Sequence, residues 1–520
     1  MKTILGKLHL KWCLNCNIPI LGNKCGICNS ETSPVKITPP ADPRLAFNED
    51  IKMIDNILKN QFNINLENGE SGIFKNKIVL INKIPGIDYM KEIILDGVLF
   101  GIVKYIEKEN KWVIMPSVEG ARRIVNKGAT EKLIVINKEV VPFVLTKHAS
   151  ILRPGVIDIS NNINEGDEVI IVVENKENIS NNNNNNNYNN NNNKNNKYKD
   201  INVLGVGKSK MSSQQIKNCE KGMVAKVRKS ELLKEQTILK ETGDFKQSTE
   251  LLIKGNKESM ERFIQNSVGF MRNTIKDRTN KPPVVAYSGG KDSLAVLLLA
   301  IEAFENENIK FDVIFSDTQL ELPETLQNVE IIKEKYNVNI IIAKATEFWN
   351  KLEELGPPSR DNRWCSEVCK MAPLQTLINK KYENGCLTFV GLRKYESMNR
   401  SKKPRIWNSP HIKKQMLCAP ILNWTALHVW IYLLSKKAPY NKLYEKCFDR
   451  VGCYMCPAME LGEFELVRKI YPEYIDNWEN ILKDYAKKHN LSEEWVNGNW
   501  RWKYKNNENN ENKKDSGIFE

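Results

Sequence analysis

The stretch Tyr287–Ala300, YSGGKDSLAVLLLA, follows the apolar run Pro283–Ala286 and decides the fold of the carboxyl half. A short β-branched strand ends in two glycines, and an unbroken apolar helix begins. Ser288, Gly289, Gly290, Lys291, Asp292 and Ser293 stand at the junction. Glycines let a backbone approach an anion closely, while helix-start amides and hydroxyls supply donors. The spacing is not that of a Walker A loop, G-x4-G-K-[ST]. The reading is a phosphate cradle; the bland alternative is a structural turn.

Downstream, strand-like runs alternate with helix-like ones: KFDVIFSD, ETLQNVEIIKEKY, NVNIIIAKA and CLTFVGLR. That alternation predicts an α/β domain with a doubly wound parallel sheet and a ligand crevice at the carboxyl ends of its strands. Four further segments recur in order: Ser316–Thr325 (SDTQLELPET), Arg360–Leu374 (RDNRWCSEVCKMAPL), Gly391–Arg400 (GLRKYESMNR) and the run ending in GCYMCP. With the SGGKDS loop they resemble the phosphoadenosine phosphosulfate (or adenylyl sulfate) reductase family of PP-loop proteins over residues 281–457. The resemblance implies that Ser288–Ser293 cradle phosphate or sulfate, that Asp317 and Thr318 lie beside the nucleotide, and that Lys370, Arg393 and Arg400 meet its charged groups. Lys291, Asp292 and Arg393 are the implied catalytic set, with Mg2+ entering alongside ATP and Asp292 helping to hold it.

Two positions depart from that family. Gln319 stands where a glycine usually follows Asp-Thr. Reductases also attack with a thiolate near the carboxyl terminus, and no cysteine follows Cys456 in this sequence.

Eight of the twelve cysteines sit in close local pairs, a metal-ligand spacing that points to a reducing cytosol and a cytoplasmic protein. Cys13, Cys16, Cys25 and Cys28 form C-x2-C twice, eight residues apart, which predicts a structural Zn2+ ribbon over 10–30; a redox dithiol is the competitor. Cys453 and Cys456 match the C-x2-C of iron-sulfur members of the resembled family, whose other two ligands are vicinal. Here Cys365 and Cys369 are four apart, so a 4Fe-4S cluster on Cys365, Cys369, Cys453 and Cys456 competes with zinc. Cys418 and Cys447 are reserve ligands, Cys219 and Cys386 structural, and His428 a packed residue rather than a base.

In front of this half, a proline-rich linker leads to a small α/β domain expected over 45–130. Residues 131–230 then read as strands: KLIVI, FVLTKH, GVIDI, DEVIIVVE, VLGVGKSKM and GMVAKVRK. Their glycine turns (Gly155, Gly166, Gly205, Gly207 and Gly222) resemble a PUA domain, a β-barrel family that binds structured RNA, commonly tRNA. Lys208, Lys210, Lys226 and Arg228 are the candidate RNA contacts, in a chain of net charge +14. The asparagine run 179–200 and the tail 505–520 read as disordered, 231–280 as a helical connector and 458–504 as a helical extension. No segment reaches the ~18 to 20 apolar residues of a membrane helix.

Three functions fit. An RNA-recruited PP-loop enzyme would use ATP, release pyrophosphate and insert sulfur into a base, with a sulfur or electron donor protein as partner. A sulfonucleotide reductase would make sulfite. A non-catalytic protein would sense nucleotide while holding RNA.

Overall fold

The computed structural model describes residues 10–147, 149–174, 201–232, 239–278 and 280–502. The asparagine run and the tail lie outside these residues.

Six strands build the carboxyl-half sheet, in the spatial order Ile340–Lys344, Asp312–Asp317, Pro283–Tyr287, Cys386–Phe389, Gln415–Cys418 and Ile406–Asn408. The first five are parallel and the last runs antiparallel at the edge. Chain order reverses between Pro283–Tyr287 and Cys386–Phe389. Loops leaving those two strands diverge, which opens the crevice where such sheets bind ligands. Helix Lys291–Phe304 buries residues on every side, as a helix apolar all round must. It packs against helices Phe245–Lys276 and Ala426–Ser435.

The front half begins with a three-stranded ribbon, Lys11–Cys13, Ile18–Ile20 and Ser33–Pro34. An antiparallel meander of five strands follows, from Arg44–Leu45 to Lys111–Pro116, with helices Asn48–Phe62 and Val118–Asn126. A second six-stranded sheet spans residues 133–230, with one parallel pair between Leu133–Ile136 and Glu168–Glu174. One expected strand there, FVLTKH, is instead a helix, Val141–Lys147. Pro142 sits in its first turn, where a missing N–H costs nothing, and Thr146 Oγ1 donates back to Pro142 O at 2.7 Å. Val144 is buried and Phe143 exposed, so one-sided burial overrides the β-propensity of the sequence.

These layers interlock. One continuous apolar core takes in Leu133 and Val172 of the second sheet, Ile93 and Phe100 of the meander, and Phe464 and Trp478 of the carboxyl extension. Buried ion pairs stitch the same seam: Arg44 bonds Asp50 and Asp449, Lys91 bonds Asp449, and Arg501 bonds Asp88. Burial opposes the charge on Asp449, yet Lys91 and Arg44 hold its carboxyl below the usual range. Removing one partner of such a pair leaves an uncompensated charge, at about 3–5 kcal/mol.

Candidate phosphate-loop site and cysteine centres

The SGGKDS turn sits at the switch point. Gly289 has φ +72°, a left-handed conformation that glycine adopts freely. Gly290 is the N-cap of helix Lys291–Phe304, and no side chain caps that end. The helix dipole places partial positive charge at this end, beside the switch point. Ser293 Oγ accepts from Ser288 N–H at 3.1 Å and donates to Gly290 O at 2.9 Å, which fixes the turn. Gly391, after the neighbouring strand, presses its backbone onto Asp292 and Ser293 so closely that a Cβ would lie 2.7 Å from either.

Lys291 and Arg393 are 5% and 2% exposed. Lys291 Nζ donates to Asp292 Oδ2 at 2.9 Å and Arg393 Nε to Asp292 Oδ1 at 2.6 Å. Burial opposes the Asp292 charge, but Arg393 and Lys291 hold the carboxyl below its ordinary value. Each Asp292 oxygen thus accepts from one cationic side chain. Arg393 also places Nη1 on Asp42 Oδ1 and Oδ2 at 2.7 and 2.9 Å. Arg400 lies nearer the surface and pairs with Glu396. The sequence reading missed Tyr444, whose buried hydroxyl accepts from Lys291 N–H at 2.9 Å, and Asp42.

At the next strand end, Asp317 Oδ1 accepts from Gln319 N–H at 2.8 Å, and Gln319 keeps the left-handed turn (φ +62°) that glycine would favour. Fully buried Thr318 faces the cysteines rather than open crevice: its Oγ1 bonds Glu321 Oε1 at 2.6 Å and meets Cys453 Sγ at 3.4 Å. Burial raises the Glu321 carboxyl above its ordinary value.

Cys365, Cys369, Cys453 and Cys456, from two distant segments, line one cavity of about 80 Å³ together with Thr318, Arg363 and Lys370. Lys370, expected at the nucleotide, therefore stands beside these thiols. Cys369 lies in a π-helical turn, Glu367–Met371, a distortion frequent at functional sites. Burial pushes the Cys365 thiol up to about 11 and the Cys369 thiol up to about 12; a metal bound there would take the place of those protons. Cys418, Cys386 and Cys447 are buried elsewhere, and His428 is packed, with its basicity depressed to about 3 by burial and by Arg393.

Among the described residues, Cys13, Cys16, Cys25 and Cys28 are the group whose ligand atoms gather around one point, all within 4.8 Å of one another. Cys13–Cys28 and Cys16–Cys25 stand 3.5 and 3.8 Å apart, against about 3.8 Å for thiolates tetrahedral on zinc. The knuckles turn at left-handed Asn17 and Asn29, each directly after a C-x2-C pair. The ribbon docks on the long helix, where Gly26 N–H donates to Gly255 O at 2.9 Å.

On the second sheet Lys208, Lys210 and Lys226 are exposed, and Lys208 stands directly opposite Lys226 across strands Ile201–Ser209 and Met223–Ser230. Like charges so placed repel. Arg228 is exposed as well, and it pairs with Glu168 and donates to Pro116 O at 2.9 Å, joining this sheet to the meander.

Fold and site define a doubly wound α/β domain with a glycine turn at its switch point, carried behind a small mixed-sheet module. The family described as phosphoadenosine phosphosulfate reductase domain matches residues 282–459, and the PUA domain family matches 132–230. Protein MJ0066 of Methanocaldococcus jannaschii is 43% identical over 515 residues, 97% of this chain and 98% of that one. An adenosine 5'-phosphosulfate reductase of Geobacillus sp. is 30% identical over 162 residues, 30% of this chain and 66% of the enzyme. The phosphoadenylyl-sulfate reductase structure from Candida auris aligns over 38% of this chain and 95% of its own, with 17% identity and a TM-score of 0.30. The chain belongs to the family of MJ0066, with a phosphoadenosine phosphosulfate reductase domain behind a PUA domain. No described helix is long and apolar enough to cross a membrane.

Proposed function

We propose that this chain is an RNA-directed PP-loop enzyme that activates a nucleobase with ATP, releases pyrophosphate and supports sulfur insertion. The observation carrying this reading is the shared core: residues of the PUA sheet and of the cysteine-bearing carboxyl half pack in one apolar cluster. Such continuity suits a substrate held by one module and transformed by the other.

In this chemistry a base carbonyl oxygen attacks the α-phosphorus of ATP, and the bond to pyrophosphate breaks with its electron pair leaving on pyrophosphate. The loop amides and Lys291 stabilise the charge developing on that leaving group. Arg393 holds Asp292, and Asp292 orients Lys291. Hydrosulfide from a sulfur donor then adds to the activated carbon, forming the carbon–sulfur bond as the carbon–oxygen bond breaks and AMP leaves with that electron pair. The four thiols around one cavity would hold a 4Fe-4S cluster with one thiolate on each iron. When bound, the cluster supplies sulfide or electrons at the strand end marked by Thr318; Arg363 and Lys370 offset its negative charge. Zn2+ in the amino-terminal ribbon is structural.

Anaerobically purified protein given tRNA and ATP should release pyrophosphate only when both are present and leave a thiolated nucleoside after RNA digestion. No RNA-dependent pyrophosphate would refute the reading. The names of the reductase relatives favour a second one, sulfonucleotide reduction. Sulfite made from adenylyl sulfate with a thiol donor and no ATP would establish it.

A further inference from the structure

The proline-rich segment between the ribbon and the meander has the composition of a plain linker, yet it enters the phosphate-loop site. We infer that Asp42 is a positioning residue of that site, the outermost member of a buried chain Asp42–Arg393–Asp292–Lys291 that sets the loop. This inference rests on the loop being the nucleotide site.

Negative and positive groups alternate along that chain. Asp42 takes Arg393 Nη1 on both oxygens and also accepts from Ala426 N–H at 2.6 Å, at the first turn of helix Ala426–Ser435. Arg393 passes to Asp292 and Asp292 to Lys291. Asp42 in turn is seated by the meander. Its N–H donates to Asn82 Oδ1 at 3.1 Å, and Asn82 Nδ2 donates to Thr38 O and Glu92 Oε2 at 2.9 and 2.8 Å. Glu92 accepts from Thr38 N–H and Oγ1. Asn82 is fully buried and Glu92 nearly so. Such polar groups are costly inside unless their bonds are made, so this seat fixes where Asp42 stands.

Without Asp42, Arg393 keeps one carboxylate in place of two and gains room to swing, and Asp292 and Lys291 lose their fixed geometry. A bond to a charged group is worth about 1.5–3 kcal/mol, which corresponds to about ten- to a hundredfold in affinity. The PP-loop domain alone, residues 282–459, lacks this support.

Asp42→Asn keeps shape and removes charge. Ala426→Pro removes the second donor to Asp42 without touching any charge; proline is favoured at a first helical position, and Thr425 before it is already extended (ψ 171°). Hydrogen exchange in the nucleotide-free full chain should rise in the peptide spanning 288–293 for both variants and stay unchanged in the strand Ile201–Ser209. Affinity for ATP should fall about ten- to a hundredfold, and Asp42→Glu should recover part of it. Should Asp42→Asn fail to fold, Ala426→Pro decides. Unchanged exchange at the loop in a folded variant overturns the inference whether or not ATP binds. Wild-type protein that binds no adenine nucleotide refutes the proposed function instead.

Discussion

Gly391→Ala is the sharpest test of how the phosphate loop is built. A methyl at residue 391 would stand 2.7 Å from the Asp292 carbonyl carbon, 2.7 Å from Ser293 N and 2.9 Å from Asp292 O. Carbon atoms rest comfortably at about 3.5–4.0 Å, so the two backbones must part by roughly 1 Å. Neither is a side chain that could swing aside, and the displaced atoms carry the loop amides. Overpacking of this kind costs about 1–3 kcal/mol of stability. A displacement of about 1 Å at a positioning site can cost about a hundredfold in rate. The assay is ATP titration with RNA-dependent pyrophosphate release, with circular dichroism to confirm folding. Gly269→Ala is the matched control: it lies in helix Phe245–Lys276 with nothing within 4 Å of an added Cβ, and should leave both readouts unchanged while adding about 0.5–1 kcal/mol to stability. A folded Gly391→Ala protein with wild-type affinity and turnover would show that this close approach does not shape the cradle.

The other tests are independent of the loop. Cys456→Ser or Cys365→Ser should abolish bound iron and acid-labile sulfide and any visible absorbance in anaerobic protein, while Cys418→Ser should retain them; equal loss in all three would refute the four-cysteine assignment. Lys208→Glu and Lys226→Glu should weaken tRNA binding across sequences and flatten the log–log salt dependence, by about 0.7–0.9 for each phosphate no longer neutralised. Unchanged slopes would move the RNA face elsewhere. His428 is neutral when folded, with its basicity depressed to about 3, whereas the unfolded chain takes up the proton near its ordinary value of about 6.5. Its contribution is therefore complete above pH 6.5 and lost as pH falls towards 3, on the order of 3 kcal/mol between pH 7 and 4. His428→Gln, which can keep the capping interaction with Thr425, should flatten the acid limb of denaturant stability; an unaltered limb would assign it to other groups.

The parts legible in sequence were those with a local signature. The glycine turn between strand and apolar helix, the paired C-x2-C knuckles and the alternation of strands and helices after residue 282 each rest on near neighbours. What could not be read depends on distant partners. Asp42 lies in a stretch with no periodicity, and its partner Arg393 is 351 residues away. Tyr444 sits in a short 3-10 turn and reaches the loop only through the tertiary fold. The partners of Arg228, Glu168 and Pro116, lie 60 and 112 residues away and were equally out of reach of a local reading. Residues 143–147 carry strand formers in a helix because burial on one side decides there.

The long reach of Asp42 also sets an order of events during synthesis. At about 5–20 residues per second, roughly 20–70 s separate the emergence of Asp42 from that of Arg393. The ribbon waits similarly for helix Phe245–Lys276. Asn82 and Glu92 follow the segment within roughly 2–11 s and can already bond Thr38 and Asp42 through that interval. The edge of the phosphate-loop site that the meander seats is thus synthesised first, and Arg393, Ala426 and Tyr444, which close around it, come last.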